Sequence, residues 1–243
     1  MGLCKRLVAR LDIKGNRLIK GIRFEGLRVL GDPLQAANEY SREGIDEILY
    51  MDVVASLYER NTITKYIKDA AKNIFVPLTV GGGLRNLDDI KDVLNSGADK
   101  VAINTAAVKD PNLIKKASSE IGSQSIIVSI EAKKIQDNKW VVYYDYGREN
   151  SGLDVIEWAK ISQSLGAGEL LVTSIDQEGL KKGMDINLIK ELRQVVNIPI
   201  IFGGGVGKVK DINDVLPYSD GVAIASVLHY NDLGIRDIKK GIC

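Results

Sequence analysis

Short apolar runs recur along the chain, and each gives way to polar residues and then to a stretch with helical spacing. Runs of this length read as buried parallel strands, which are covered on both faces and so need no strict alternation. They are Leu7–Asp12, Glu47–Asp52, Pro77–Val80, Lys100–Ile103, Ser125–Ile130, Leu170–Thr173, Pro199–Phe202 and Gly221–Ile224. Pro199 is compatible with a strand because it stands at the start of its run. Helices are predicted at Pro33–Glu43, Thr62–Asn73, Leu87–Ser96, Asn112–Ile121, Asp154–Leu165, Asp185–Val195, Val209–Leu216 and Leu233–Lys240. The first carries a clear start signal, with Asp32 as N-cap and Pro33 in the first turn.

Two stretches break the rhythm. Ile13–Asp32, rich in Gly, Lys and Arg, is long for a strand-to-helix connection and predicts a lid over a site. Ala132–Gly152 follows the fifth strand, with a small hairpin expected around Asp137-Asn138. Eight strand-then-helix units predict an α/β chain folded as one (β/α)8 TIM barrel over residues 1–243. An open doubly wound sheet is the structural alternative. Polar residues gather at the carboxyl ends of many runs, and only in a barrel do all those ends share a face. The halves also echo each other. Asp12 and Glu131, Gly81 and Gly203, and Asp99 and Asp220 lie 119, 122 and 121 positions apart. Such an offset marks a doubled half-barrel. It sets Asp12 and Glu131 opposite each other across the mouth.

Composition narrows the class. The apolar fraction of 45% is ordinary for a chain with a sizeable core, and the net charge of +1 gives no footprint for nucleic acid or a membrane surface. No run approaches the roughly 20 apolar residues of a membrane span. Lys5, Arg6 and Arg10 interrupt the place where a signal peptide would need its apolar core. Cys4 and Cys243 stand at opposite ends and form no cluster with the single His229. A reduced, cytoplasmic setting without metal or cofactor is therefore expected.

Chemistry concentrates in four groups. Asp12 and Glu131 form a candidate acid–base pair, the other reading being that they only cap nearby amides. Apolar walls or mutual proximity would raise the pKa of one of them. Gly81–Gly83 and Gly203–Gly205 end their strands as backbone turns that admit an anion closely. Partnered by Asn104-Thr105 and by Ser226, they read as two phosphate cradles rather than simple tight turns. Lys20, in the long first loop, is a candidate cation over the substrate or else part of a solvated basic loop. Arg6, Glu47, Lys100 and Glu169 stand near strand starts, either solvated or joined in a salt-bridged ring closing the floor.

Several segments carry a family resemblance: Arg10-Leu-Asp-Ile-Lys, Asp52-Val-Val-Ala-Ser, Val80-Gly-Gly-Gly-Leu-Arg, Asp99-Lys-Val-Ala-Ile-Asn-Thr-Ala-Ala-Val, Thr173-Ser-Ile-Asp and Ala225-Ser-Val. With them the chain resembles the cyclase subunit of imidazole glycerol phosphate synthase over nearly its whole length. The resemblance implies a barrel that takes ammonia from a separate glutaminase at its floor and passes it along the axis to a bisphosphate substrate at the mouth. It implies Asp12 and Glu131 as catalytic residues. It implies substrate and phosphate contacts at Lys20, Gly82, Gly83, Asn104, Thr105, Glu178, Gly179, Gly204, Gly205 and Ser226. The floor gate aligns with Arg6, Glu47, Lys100 and Glu169. The chain departs from the family at the mouth. Glu131 and Glu178 stand where it has aspartates, Leu180 where it has threonine, Gly203 where it has serine, and Arg10 where it has cysteine.

The expected function is that of an ammonia-accepting cyclase in histidine biosynthesis. The alternative is a paralogue, which the Ser-Ile-Glu-Ala-Lys segment resembles, that conducts ammonia for acetamidino modification of a surface-polysaccharide sugar. A sugar isomerase on the same barrel, or a scaffold that only activates a glutaminase, lies further away.

Overall fold

A computed structural model describes residues 5–53 and 63–242. Cys4, Cys243, Thr62 and the Val54-Ala55-Ser56 part of the second resemblance segment lie outside the described residues. Eight parallel strands close on themselves: β1 (Arg6–Lys14), β4 (Glu47–Asp52), β5 (Leu78–Gly81), β6 (Lys100–Ile103), β7 (Ile126–Gln136), β10 (Glu169–Ser174), β11 (Ile200–Gly203) and β12 (Gly221–Ile224). The β7–β10 pairing, with Glu131 against Thr173, completes the circle. The expected barrel is therefore closed, not an open sheet.

Both insertions are hairpins. Ile13–Asp32, expected as a lid, continues β1 into β2 (Arg17–Ile22) and β3 (Glu25–Gly31). The second turns at Asp137-Asn138 as expected, with β8 (Lys139–Tyr144) pairing β7 and then β9 (Glu149–Asp154). Each hairpin springs from the long first strand of a half-barrel.

Helices α1 (Pro33–Glu43), α2 (Ile63–Asn73), α3 (Leu87–Asn95), α4 (Thr105–Lys109), α5 (Asn112–Ile121), α6 (Val155–Ser164), α7 (Ile186–Val195), α8 (Val209–Val215), α9 (Ser226–His229) and α10 (Ile235–Gly241) connect the strands. Asp32 caps α1 by accepting from the Gln35 amide at 2.8 Å, and Gly44 ends it with a left-handed φ of 94°. Short α4 and α9 follow strands at equivalent places in the two halves and were not expected.

Alternation along the strands sorts side chains into two cores. Leu7, Ala9 and Leu11 of β1 belong to the cluster between sheet and helices, while Val8 belongs to a second cluster inside the barrel. Within that inner cluster Val8, Leu49, Ala102, Ile127, Leu171, Ile201 and Ala223, from seven strands, form an apolar tier. Below it lie Arg6, Glu47, Lys100 and Glu169. Above it lie Arg10, Asp12, Ser129, Glu131 and Thr173. One face of β1 thus runs Arg6, Val8, Arg10, Asp12 from floor to mouth.

Candidate functional site

At the mouth, Asp12 is wholly buried and both its oxygens are engaged. Oδ1 accepts from Arg10 Nε at 2.8 Å, and Oδ2 accepts from Lys20 Nζ at 3.1 Å and the Tyr146 hydroxyl at 3.2 Å. Burial alone would raise this carboxyl. The charges of Arg10 and Lys20 outweigh it and hold Asp12 well below the usual carboxylate range. Lys20 loses its hydration too, but Asp12 and Glu178 keep it cationic. At 2% exposure Lys20 is neither swinging free nor part of a solvated loop.

Glu131 has a different environment. Its Oε2 accepts from the Gly147 amide at 2.7 Å. Burial pushes its carboxyl up to about 7, against the pull of Arg10 and that amide, and the negative charge of Asp12 adds to the rise. Two carboxylates in one mouth therefore differ in state at neutral pH. Asp12 is ionised, and Glu131 sits between acid and base.

Two hollows flank this pair. The first, about 350 Å³, is lined by Glu131 and Tyr146 and by Gly82, Gly83, Asn104 and Thr105. The second, about 20 Å³, gathers Glu178, Gly179, Gly204, Gly205 and Ser226, with Arg10 in its wall. Of the two cradles expected from sequence, Gly82, Gly83, Asn104 and Thr105 line the first hollow and Gly203, Gly204, Gly205 and Ser226 line the second, while Gly81 lines neither. Gly82 and Gly205 adopt left-handed φ values of 96° and 101°. A Cβ on either would run into backbone, at the Asp52 carbonyl and the Gly183 carbonyl respectively. Asp12 lines neither hollow and reaches the first through Tyr146.

Tyr146 was not legible as a site residue, and neither was Asp145. Both sit in the turn between β8 and β9, with left-handed φ of 58° and 49° respectively. Asp145 accepts from the Thr105 hydroxyl at 3.1 Å, so a carboxylate engages a group expected to hold phosphate. The Tyr146 ring meets Phe24 of the first hairpin, centroids 4.4 Å apart. Phe24 and Tyr146 are 122 positions apart, so the halves touch through equivalent residues. The available signal was that same repeat offset, extended into the insertions.

The floor charges form the anticipated ring. Arg6 pairs with Glu47 at 3.0 Å and with Glu169, and Lys100 pairs with the same two carboxylates at 3.3 and 3.2 Å. Thr79 also donates to Glu47 at 2.6 Å. His229 plays no part in a metal cluster, and among the described residues no group of three or more His, Cys, Asp or Glu is placed to hold a metal. Its Nε2 donates to the Arg10 carbonyl at 3.1 Å, so Nδ1 accepts from the Tyr40 hydroxyl at 2.8 Å. Burial lowers its pKa to about 4, so it is neutral.

Comparison with known proteins gives the family. Residues 6–234 match the family described as histidine biosynthesis protein. The chain belongs to the imidazole glycerol phosphate synthase cyclase family. It is 52% identical over 208 residues to imidazole glycerol phosphate synthase subunit HisF of Legionella pneumophila, covering 86% of this chain and 98% of that one. It is 46% identical to the subunit of the same name from Petrotoga mobilis, over 98% of this chain and 95% of the relative. For the Lactococcus lactis subunit the figures are 44%, 98% and 93%. The relatives are each named as one subunit of a synthase. Among the described residues no helix is long and apolar enough to cross a membrane.

Within this family setting the departures noted in the sequence fall together. Arg10, Glu131 and Glu178 all border the mouth, and Gly203 shares the second hollow with Arg10 and Glu178.

Proposed function

We propose that the chain is the cyclase subunit of a glutamine-dependent imidazole glycerol phosphate synthase, working in the cytoplasm with a separate glutaminase. Ammonia released by that partner enters past the Arg6–Glu47–Lys100–Glu169 ring, crosses the apolar tier and meets the substrate at the mouth. The substrate is a phosphoribulosyl formimino aminoimidazole carboxamide ribotide, its two phosphates held on the glycine turns. The nitrogen of ammonia attacks the ribulosyl carbonyl and water leaves. A carbon–nitrogen bond then breaks to free aminoimidazole carboxamide ribotide, and the remaining fragment closes to imidazole glycerol phosphate.

The observation that carries the reading is the split of the two carboxyls above an axial tier of apolar side chains. Glu131, titrating near 7, moves the protons, because a group poised near the working pH both accepts and donates. Asp12, pinned as an anion, stabilises positive charge that develops on the attacking nitrogen. This assigns the larger share of proton transfer to Glu131.

One observation favours a second reading. Both oxygens of Asp12 are already committed to Arg10, Lys20 and Tyr146, which suits a conduit that passes ammonia to a sugar-modifying enzyme. Mixing the chain with ammonium salt and the ribotide substrate separates the two. Formation of both products supports the cyclase. No products, together with intact stimulation of a glutaminase, refutes it and supports the conduit.

A further inference from the structure

Positions 10 and 129 are equivalent in the two half-barrels, offset by 119 like Asp12 and Glu131. Ser129 lines the larger hollow, about 350 Å³. Arg10 stands in the wall of the smaller one, about 20 Å³. Arg10 is 3% exposed, and two of its three nitrogens are satisfied: Nε by Asp12 and Nη1 by the Thr173 hydroxyl at 3.0 Å. The third, Nη2, is buried without a partner. A buried charged donor left unpaired is costly, and native structures rarely tolerate one without a reason.

The reason lies in what shares that hollow. Gly204, Gly205 and Ser226, the second glycine turn and its hydroxyl partner, line it with Arg10. Its volume suffices for one oxygen-sized group. Glu178 also faces it, with its charge offset by the ion pair to Lys20. Gly179 and Ser226 border an adjoining open depression of about 580 Å³ that carries Lys20, Arg23, Arg28 and Lys181, with Glu25 as its acidic member. An anion arriving there has cations along its approach and one deep donor at the end.

We propose that Arg10 is a direct substrate ligand, donating from Nη2 to one oxygen of the phosphoryl group seated on the second glycine turn. This rests on the reading of the site as one for a phosphorylated substrate. Gly203 lines the same hollow, and a Cβ there would stand 3.7 Å from Thr173 Oγ1, the hydroxyl to which Arg10 Nη1 donates.

The test titrates inorganic phosphate into the full chain by calorimetry, in wild type, Arg10→Met and Arg10→Lys. The proposal expects two phosphate sites in wild type. In Arg10→Met it expects one of them weakened about tenfold or more, the scale of a hydrogen bond from a charged donor. Arg10→Lys keeps a cation beside Asp12 and guards against a variant that fails to fold. Its ammonium is a single point rather than a planar fork and does not span Asp12, Thr173 and a phosphoryl oxygen together, so it too binds phosphate more weakly at that site. With ammonium salt and the ribotide, the same variants raise KM by a comparable factor. A role confined to holding Asp12 would move the unfolding midpoint and the acid limb of kcat but leave phosphate affinity unchanged. That result overturns the proposal, as does a single phosphate site in wild type. If wild type binds phosphate at two sites yet turns over no ribotide, the cyclase reading fails while the assignment of Arg10 stands or falls on the phosphate titration.

Discussion

Glu131→Gln isolates the one carboxyl among the described residues that burial moves into the neutral range. The glutamine oxygen can still accept from the Gly147 amide, so the change removes the charge and leaves the 2.7 Å contact available. In wild type the folded carboxyl is raised from 4.5 to about 7. The folded state therefore holds this proton more tightly than the unfolded chain. The contribution is full below pH 4.5 and is lost as pH rises through 7. Linkage puts it at about 3 kcal/mol. His229 runs the other way. Its pKa falls from 6.5 to about 4, so its contribution is present above 6.5 and lost as pH drops toward 4. The two nearly cancel in the wild-type profile, and only the difference between variant and wild type exposes Glu131. Urea unfolding of both proteins from pH 4 to 8 measures it. The variant is expected to match wild type near pH 4 and to exceed it by about 3 kcal/mol near pH 8. A difference constant to within about 0.5 kcal/mol, the scatter of neutral surface changes, would show Glu131 ionising like an ordinary carboxylate and refute the argument. Turnover with ammonium salt should fall about 100-fold or more in the variant, because an amide moves no proton.

Three further outcomes follow from the same geometry. Asp12→Asn leaves the buried Arg10 and Lys20 short of an anion, so it should lower stability by about 3–5 kcal/mol as well as abolish cyclisation; an unchanged unfolding midpoint would contradict the ion-pair network. Tyr146→Phe deletes one hydrogen bond to Asp12 and keeps the ring against Phe24, which should cost about 1 kcal/mol in denaturation and shift the pH profile of kcat; loss of folding would mean that the hydroxyl does more than this. Lys100→Met removes one of the two cations facing the buried Glu47 and Glu169, so stability should fall by roughly 1–3 kcal/mol while the ratio of glutamine-driven to ammonia-driven turnover drops; an unaltered ratio would remove the ring from the ammonia route.

The barrel was legible because buried parallel strands print as short apolar runs and because the half-barrel offset repeats across them. The floor ring was legible as one of two readings, since Arg6, Glu47, Lys100 and Glu169 fall at strand starts that only closure brings together. What escaped was local and conformational. Glu25–Gly31 has no buried position, and Arg17–Ile22 buries Leu18, Ile19 and Lys20 in succession rather than in alternation, so their pattern reads as a basic loop although the backbone pairs. Tyr146 and Asp145 reach the site through left-handed backbone at a hairpin tip, a geometry that residue type does not announce. Lys20 was expected in a loop but lies in β2, and its burial was not foreseen, because Glu178 comes from a distant segment and Asp12 meets it only through the β1–β2 pairing. Arg10 and Asp12 share a strand face by simple alternation, so their pairing was within reach of the sequence.

The tier of Val8, Leu49, Ala102, Ile127, Leu171, Ile201 and Ala223 has a consequence for proton accounting. A greasy septum rejects a hydrated ion at a cost of several kcal/mol but lets a small neutral molecule through. Whatever crosses it arrives stripped of its extra hydrogen. By the proposed route, each turnover would leave one H⁺ on the far side of the septum, and the mouth would dispose of the hydrogens that the incoming nitrogen sheds as it bonds to carbon. An acceptor tuned to neutrality at the upper rim, and none within the septum itself, is the division of labour that such a filter demands.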